Sequence, residues 1–198
     1  MNYKHTLVIV GLFCCTAVPA QPVAPYNNNI VSISPFVATE AGIGSGASWE
    51  HFFPSMGWLS FILPVMVAES TNGSGGGGMF YFTPGIKIYT DMYSYRQVKF
   101  SIGPSLVMGI GNAANPNTNY MYSGIPSLVE THFVYGAMIN GALNAFITPR
   151  LYLGANLGLG FTSVNRYGGV NADVTGLDQF SFNIGYRFSS KGTKKSPK

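Results

Sequence analysis

Gln179-Phe180-Ser181-Phe182-Asn183-Ile184-Gly185-Tyr186-Arg187-Phe188 alternates without a break. Phe180, Phe182, Ile184, Tyr186 and Phe188 fall on one face, and Ser181, Asn183, Gly185 and Arg187 on the other. Alternation with period two is the mark of a β-strand with two different surroundings. The segment before it repeats the pattern: Leu151, Leu153, Ala155, Leu157, Leu159 and Phe161 oppose Tyr152, Gly154, Asn156, Gly158, Gly160 and Thr162. Between them, residues 163–178 are rich in Asn, Gly and Asp and read as a loop.

Outward from this pair, the same period recurs. Residues 133–147 set Phe133, Tyr135, Ala137, Ile139 and Leu143 against Gly136, Asn140, Ala142 and Asn144. Residues 98–110 set Val98, Phe100, Ile102, Leu106, Met108 and Ile110 against Lys99, Ser101, Gly103, Ser105 and Gly109. Residues 80–90 put Phe80, Phe82, Ile86 and Ile88 opposite Tyr81, Thr83, Gly85, Lys87 and Tyr89. Residues 59–67, a glycine-rich stretch at 43–53 with Trp49 outward, and a weaker strand at 30–38 with Val31, Ile33 and Val37 on one face complete a set of eight. Connections at 54–57, 91–97 and 148–150 are short; those at 70–78, 112–130 and 163–178 are longer, and the one near 39–42 is the exception. An even number of antiparallel strands with short turns on one rim and long loops on the other predicts an up-and-down barrel.

Composition decides what surrounds that barrel. Of 198 residues only 9% are Asp, Glu, Lys or Arg, against about 25% in soluble domains. A soluble barrel would line its outer face with Lys and Glu. Here the polar face carries Gly, Ser, Thr and Asn, which suits a narrow, filled interior, so the apolar face meets lipid. Closure follows, because an open sheet edge in hydrocarbon would strand backbone N–H and C=O groups at a cost of several kcal/mol each. The predicted fold class is all-β: an eight-stranded antiparallel transmembrane up-and-down β-barrel over residues 30–188. The net charge of +4 comes from basic residues crowded at the two ends, with no basic stripe for nucleic acid. No stretch is long and apolar enough for a membrane helix; the run at 58–68 is too short and contains Pro64.

Residues 1–20 have the order of a secretory signal peptide: Lys4 and His5, then Leu7-Val8-Ile9-Val10-Gly11-Leu12-Phe13, then Val18-Pro19-Ala20. Both cysteines, Cys14 and Cys15, lie inside it, so the mature chain is expected to lack disulfide and thiol chemistry. Phe13 ahead of Cys14 argues against lipid attachment. Residues 21–29 then form an N-terminal periplasmic segment, and residues 189–198, with Lys191, Lys194, Lys195 and Lys198, a basic disordered periplasmic tail.

The strand ending Tyr186-Arg187-Phe188 is similar to the terminal assembly-signal strand of outer-membrane proteins. Trp49-Glu50-His51-Phe52-Phe53-Pro54, a strand running into a tight turn, resembles the small OmpA/OmpX-like barrels, notably those of Bacteroidota. The resemblance covers residues 30–188 and rests on layout. It implies a Gram-negative outer-membrane location after secretion across the inner membrane. It also implies insertion by the barrel-assembly machinery, which would read Phe180, Phe182, Ile184, Tyr186 and Phe188, with lipid and lipopolysaccharide as surroundings. In that family the recognition strand usually closes the chain, whereas here 189–198 follow.

Parity places Glu50, Lys87, Lys99 and Arg187 inside the barrel, where a lone charge is costly; Glu50 is expected to pair with Lys87 or Arg187. A structural plug is the first reading of this group, and a proton or ion path the second. Barrel enzymes acting on lipid A give a sharper rival. Glu130 and His132 share a face near the outer end of their strand, with Ser127 and Ser123 nearby, which is the composition of a base, its orienting carboxylate and a hydroxyl. No nucleophile motif accompanies them, and His51 has its neighbour Glu50 on the opposite face. Gly42-Ile43-Gly44-Ser45-Gly46 lacks the lysine and helix of a phosphate loop. Gly75-Gly76-Gly77-Gly78 reads as a loop tip. No His, Cys, Asp or Glu group has metal-ligand spacing, and no cofactor is implied. Two aromatic girdles are expected: Phe52, Phe53, Trp58, Tyr93, Tyr95, Tyr152, Tyr186 and Phe188 at the short-turn rim, and Tyr120, Tyr122, Phe133, Tyr135 and Tyr167 at the other. Three readings remain open: a structural, adhesive or receptor-like barrel acting through 112–130 and 163–178 on an unknown extracellular ligand, a lipid A-modifying enzyme, and a narrow pore.

Overall fold

The structure, a computed structural model, describes residues 29–53, 58–69, 77–90, 98–114, 129–148, 150–171 and 174–188. Residues 1–28 and 189–198, and so the signal, most of the segment after it and the basic tail, lie outside the described residues. So do Tyr93, Tyr95, Tyr120, Tyr122, Ser123 and Ser127. The strands are β1 (Asn29–Thr39), β2 (Gly42–Phe52), β3 (Leu59–Glu69), β4 (Gly78–Phe82), β5 (Gly85–Tyr89), β6 (Val98–Ala114), β7 (Val129–Phe146), β8 (Leu151–Tyr167), β9 (Val170–Asn171) and β10 (Gly176–Phe188). All pairings are antiparallel: β1 to β3 and β6 to β8 pair in order, β4 and β5 each lie between β3 and β6, β9 pairs with β8, and β10 pairs with both β8 and β1, which closes the sheet.

β4 and β5 are one barrel strand. Pro84 has no N–H to give the ladder, yet Thr83 N–H still donates to Pro64 O and Leu106 N–H to Pro84 O, so the sheet continues across the gap. β9 is a two-residue return at the end of β8. Eight strands therefore close the barrel. No helix among the described residues is long and apolar enough to cross a membrane.

Burial follows the alternation. Along β10, Leu177, Gln179, Ser181, Asn183 and Gly185 are buried while Phe180, Phe182, Ile184, Tyr186 and Phe188 are exposed. Most outward side chains elsewhere are large and apolar, as with Ile139 at 61% exposure. Inside, small residues are demanded by proximity. A Cβ on Gly103 would stand 1.9 Å from the backbone oxygen of Ile86, and one on Gly185 would enter the ring of Tyr152 at 1.8 Å.

Four expectations change. Val37 is fully buried in the lumen and Phe36 faces out, because the pairing register of β1 shifts on both sides around Pro35. A bulge adds a residue and reverses parity beyond it, and a strand proline is at home there. Residues 163–178 are largely strand: β8 continues to Tyr167 past a register shift at Tyr135/Gly136, β9 returns, and β10 starts at Gly176. β1 opens at Asn29, which pairs with Phe188 and His51. Among the girdle aromatics, Phe53, Tyr186, Phe188, Phe133 and Tyr135 do face outward, but Phe52 and Tyr152 are buried inside, and Tyr167 stacks on the buried His132.

Candidate functional site

The lumen is layered. At the short-turn end, Ile30, Phe52, Tyr89 and Tyr152 pack together, with Phe146 against them. The Phe52 and Tyr89 rings are 5.2 Å apart and those of Phe146 and Tyr152 5.7 Å. The Arg187 guanidinium lies 5.1 Å from the Phe52 ring and 5.9 Å from that of Phe146, over which Lys99 Nζ also sits at 5.8 Å. Both cations thus rest on aromatic faces.

Next comes Glu50, 1% exposed, its carboxylate fully employed. Ser60 Oγ and Tyr89 OH donate to Oε1 at 2.5 and 2.6 Å, and Lys87 Nζ reaches Oε2 at 3.1 Å. Pairing plus two hydroxyl donors is what an ionised buried carboxylate needs. Alternation alone put Ser60 and Tyr89 inside but could not single them out as partners. That depends on register, which sets Ser60 opposite both Lys87 and Phe52.

The middle layer is uncharged and polar. Ser32 meets Ser48 at 2.6 Å, Ser34 donates to Asn183 Oδ1, Asn140 Nδ2 donates to Ser105 Oγ at 2.6 Å, and Asn156 Nδ2 to Ser181 Oγ at 3.3 Å. All of these but Ser32 line a cavity of about 30 Å³, which Lys87 also borders, room for one or two waters. Above it a second apolar layer, with Val37, Met66, Met79, Tyr81, Val107, Val134, Met138 and Leu177, fills the barrel below the long-loop rim.

At that rim, His132 is buried and its ring stacks on Tyr167 at 3.9 Å. His132 Nε2 lies 2.7 Å from Asn165 Oδ1, an acceptor only, so Nε2 carries the proton and donates. The group that orients His132 is thus a side-chain amide. Nδ1, the nitrogen left to act as a base, is buried and finds no hydrogen-bond partner among the described residues. Glu130 lies beside the Gly168 turn: a Cβ there would stand 2.9 Å from its Oε2. Ser127 is outside the described residues. Asn165 escapes the sequence reading, and Tyr167 enters it only as a girdle aromatic, because the expected loop covers both; the apolar-polar alternation fades at the register shift. In the β1–β2 turn, covering of its carboxyl and the charge of Asp178 hold Glu40 up at about 7. Among the described residues no three of His, Cys, Asp and Glu converge on a metal position.

No family model matches the chain, and no curated protein matches it. Solved structures do share its fold. A major outer membrane protein from Thermus thermophilus superposes with a TM-score of 0.54 at 13% identity, over 81% of this chain and 98% of that one. Ail, the attachment invasion locus protein of Yersinia pestis, gives 0.52 at 11% identity, over 82% and 99%. The N-terminal β-barrel domain of Pseudomonas aeruginosa OprF gives 0.50 at 13% identity, over 82% and 99%. The chain is therefore a closed eight-stranded transmembrane β-barrel. Within that class it has the small OmpA/OmpX-like architecture.

Proposed function

We propose that this chain is a non-conducting outer-membrane barrel that works through its long-loop rim in a structural, adhesive or receptor-like role. It would be secreted with a signal at 1–20, inserted by the barrel-assembly machinery through its last strand, and surrounded by outer-membrane lipid and lipopolysaccharide. The observation that supports the reading is the layered lumen: among the described residues two apolar layers enclose a polar middle whose cavity is about 30 Å³. What differs between barrels of this shape is then left to the rim, to which the connections 70–77, 115–128 and 168–175 lead.

Four measurements test it. Fractionation places the chain in the outer membrane. Planar-bilayer recordings of the reconstituted protein show no discrete conductance steps; regular steps would overturn the closed lumen. Replacing 115–128 with a short Gly-Ser linker leaves insertion intact but abolishes the surface phenotype that a deletion strain lacks. A His132→Ala variant with an altered lipid A mass spectrum would instead favour the enzyme.

A further inference from the structure

The strand glycines divide by face. Those pointing inward, such as Gly44, Gly85, Gly103, Gly160 and Gly185, would each drive a Cβ to within 3 Å of another atom. Gly141 points outward in the middle of β7, and a Cβ there would meet only the Phe100 ring, at 3.8 Å. Internal packing does not require it. A glycine inside a strand weakens it and often marks where something approaches the backbone closely. Beside it on the same outer face is Ala155, opposite Leu143 across the β7–β8 ladder. Together they floor a groove of about 640 Å³ walled by Phe100, Leu143, Leu157 and Phe180.

The groove lies in the half of the barrel nearer the short-turn rim, and a cation stands below it. Arg150, in the β7–β8 turn, is exposed and its Nη1 donates to Tyr186 OH at 3.3 Å; Tyr186 itself faces outward from β10. Among the described residues Arg150 meets no carboxylate within salt-bridge distance. From Arg150 to Ala155 is about 16 Å along the strand at ~3.3 Å per residue, or about 12 Å of depth at the usual barrel tilt. That is close to one leaflet's hydrocarbon, about 15 Å.

We propose that this face holds one glycerophospholipid of the leaflet at the short-turn rim, its phosphate on Arg150 and Tyr186 and one acyl chain in the groove over Gly141 and Ala155. The inference rests on the membrane reading above. A guanidinium complements a phosphate, and an apolar groove complements an acyl tail. A second copy of the barrel does not fit, because two convex cylinders touch along a line and leave a groove unfilled.

The test is native mass spectrometry of the full chain in a neutral detergent with dipalmitoyl phosphatidylglycerol added. Insertion into vesicles and heat-modifiable migration are checked first, so loss of the membrane reading registers separately from loss of the site. Wild type retains one phospholipid. Gly141→Leu, which fills the groove from outside without a backbone clash, and Arg150→Gln, which removes a charge-assisted hydrogen bond, each reduce retention roughly tenfold. Val67→Leu, outward on β3, leaves it unchanged. Equal retention by all four proteins overturns the site. Loss with Gly141→Leu but not Arg150→Gln overturns the phosphate contact, and a dimer that Gly141→Leu splits overturns the lipid as occupant.

Discussion

Lys87 and Glu50 meet inside the barrel across the strand that separates them: β5 supplies the ammonium, β2 the carboxylate, and Ser60 of the intervening β3 donates to the same carboxylate. Each charge is tolerable only because the other is there. Lys87→Met should destabilise the barrel by about 3–5 kcal/mol by leaving Glu50 unpaired, whereas Lys87→Met with Glu50→Gln should recover most of the loss. Urea unfolding from lipid vesicles measures both. A double variant as unstable as the single would show that the ion pair is not what Lys87 contributes.

The outer surface makes a separate claim. Ile139 projects from the middle of β7 and is among the most exposed side chains. In a bilayer, Ile139→Arg should cost about 2–4 kcal/mol. In water the same change would be neutral or improve solubility. A variant that is stable and monodisperse without detergent would refute the lipid-facing surface.

Gly185 exists to admit Tyr152. Its Cβ would fall inside that ring, so Gly185→Ala should cost about 1–3 kcal/mol through overpacking. Combining it with Tyr152→Ala should cost less than the sum of the two single changes, since the clash disappears with the ring. Additive losses in a double-mutant cycle would mean the glycine answers to something else.

Glu40 gives the barrel a pH dependence of unusual sign. Its pKa is raised from an ordinary 4.5 to about 7 in the folded chain, by covering of the carboxyl first and by Asp178 second. The folded state then binds the proton more tightly than the unfolded one. Its contribution is fully present below about 4.5 and is lost as pH rises through about 7. The denaturation midpoint should fall across that window, and Glu40→Gln should flatten the slope. A titration of the Glu40 carboxyl carbon by NMR with a midpoint near 4.5 would dismiss the effect.

Most of the barrel can be read from the chain, for a reason specific to its surroundings. Lipid outside and a crowded lumen inside impose opposite demands on successive residues, so Phe180 to Phe188 declare their faces. The reading fails where backbone geometry breaks the period. At Pro35 a bulge turns Val37 inward, and the cue was present in a proline at mid-strand. Near Ser163 a second register shift, together with Asn and Gly, disguises strand as loop and hides Asn165 and Tyr167 beside His132. Phe52 and Tyr152 look like interface aromatics by type, yet parity puts them inside, where they close the short-turn end. Glu50 and Lys87 could be placed on the inner face, but Tyr89 and Ser60 as their companions depend on register between strands, which alternation along one strand does not encode.

The paired stoppers of the lumen, Phe52 with Tyr152 at one end and Val107 with Met138 at the other, bear on how many copies a cell can carry. A hollow cylinder multiplied across an envelope would drain small solutes in proportion to its number. On the proposed non-conducting reading, one corked at both ends adds wall without adding leak, so its abundance would be set by the need for mechanical cover or surface contact alone.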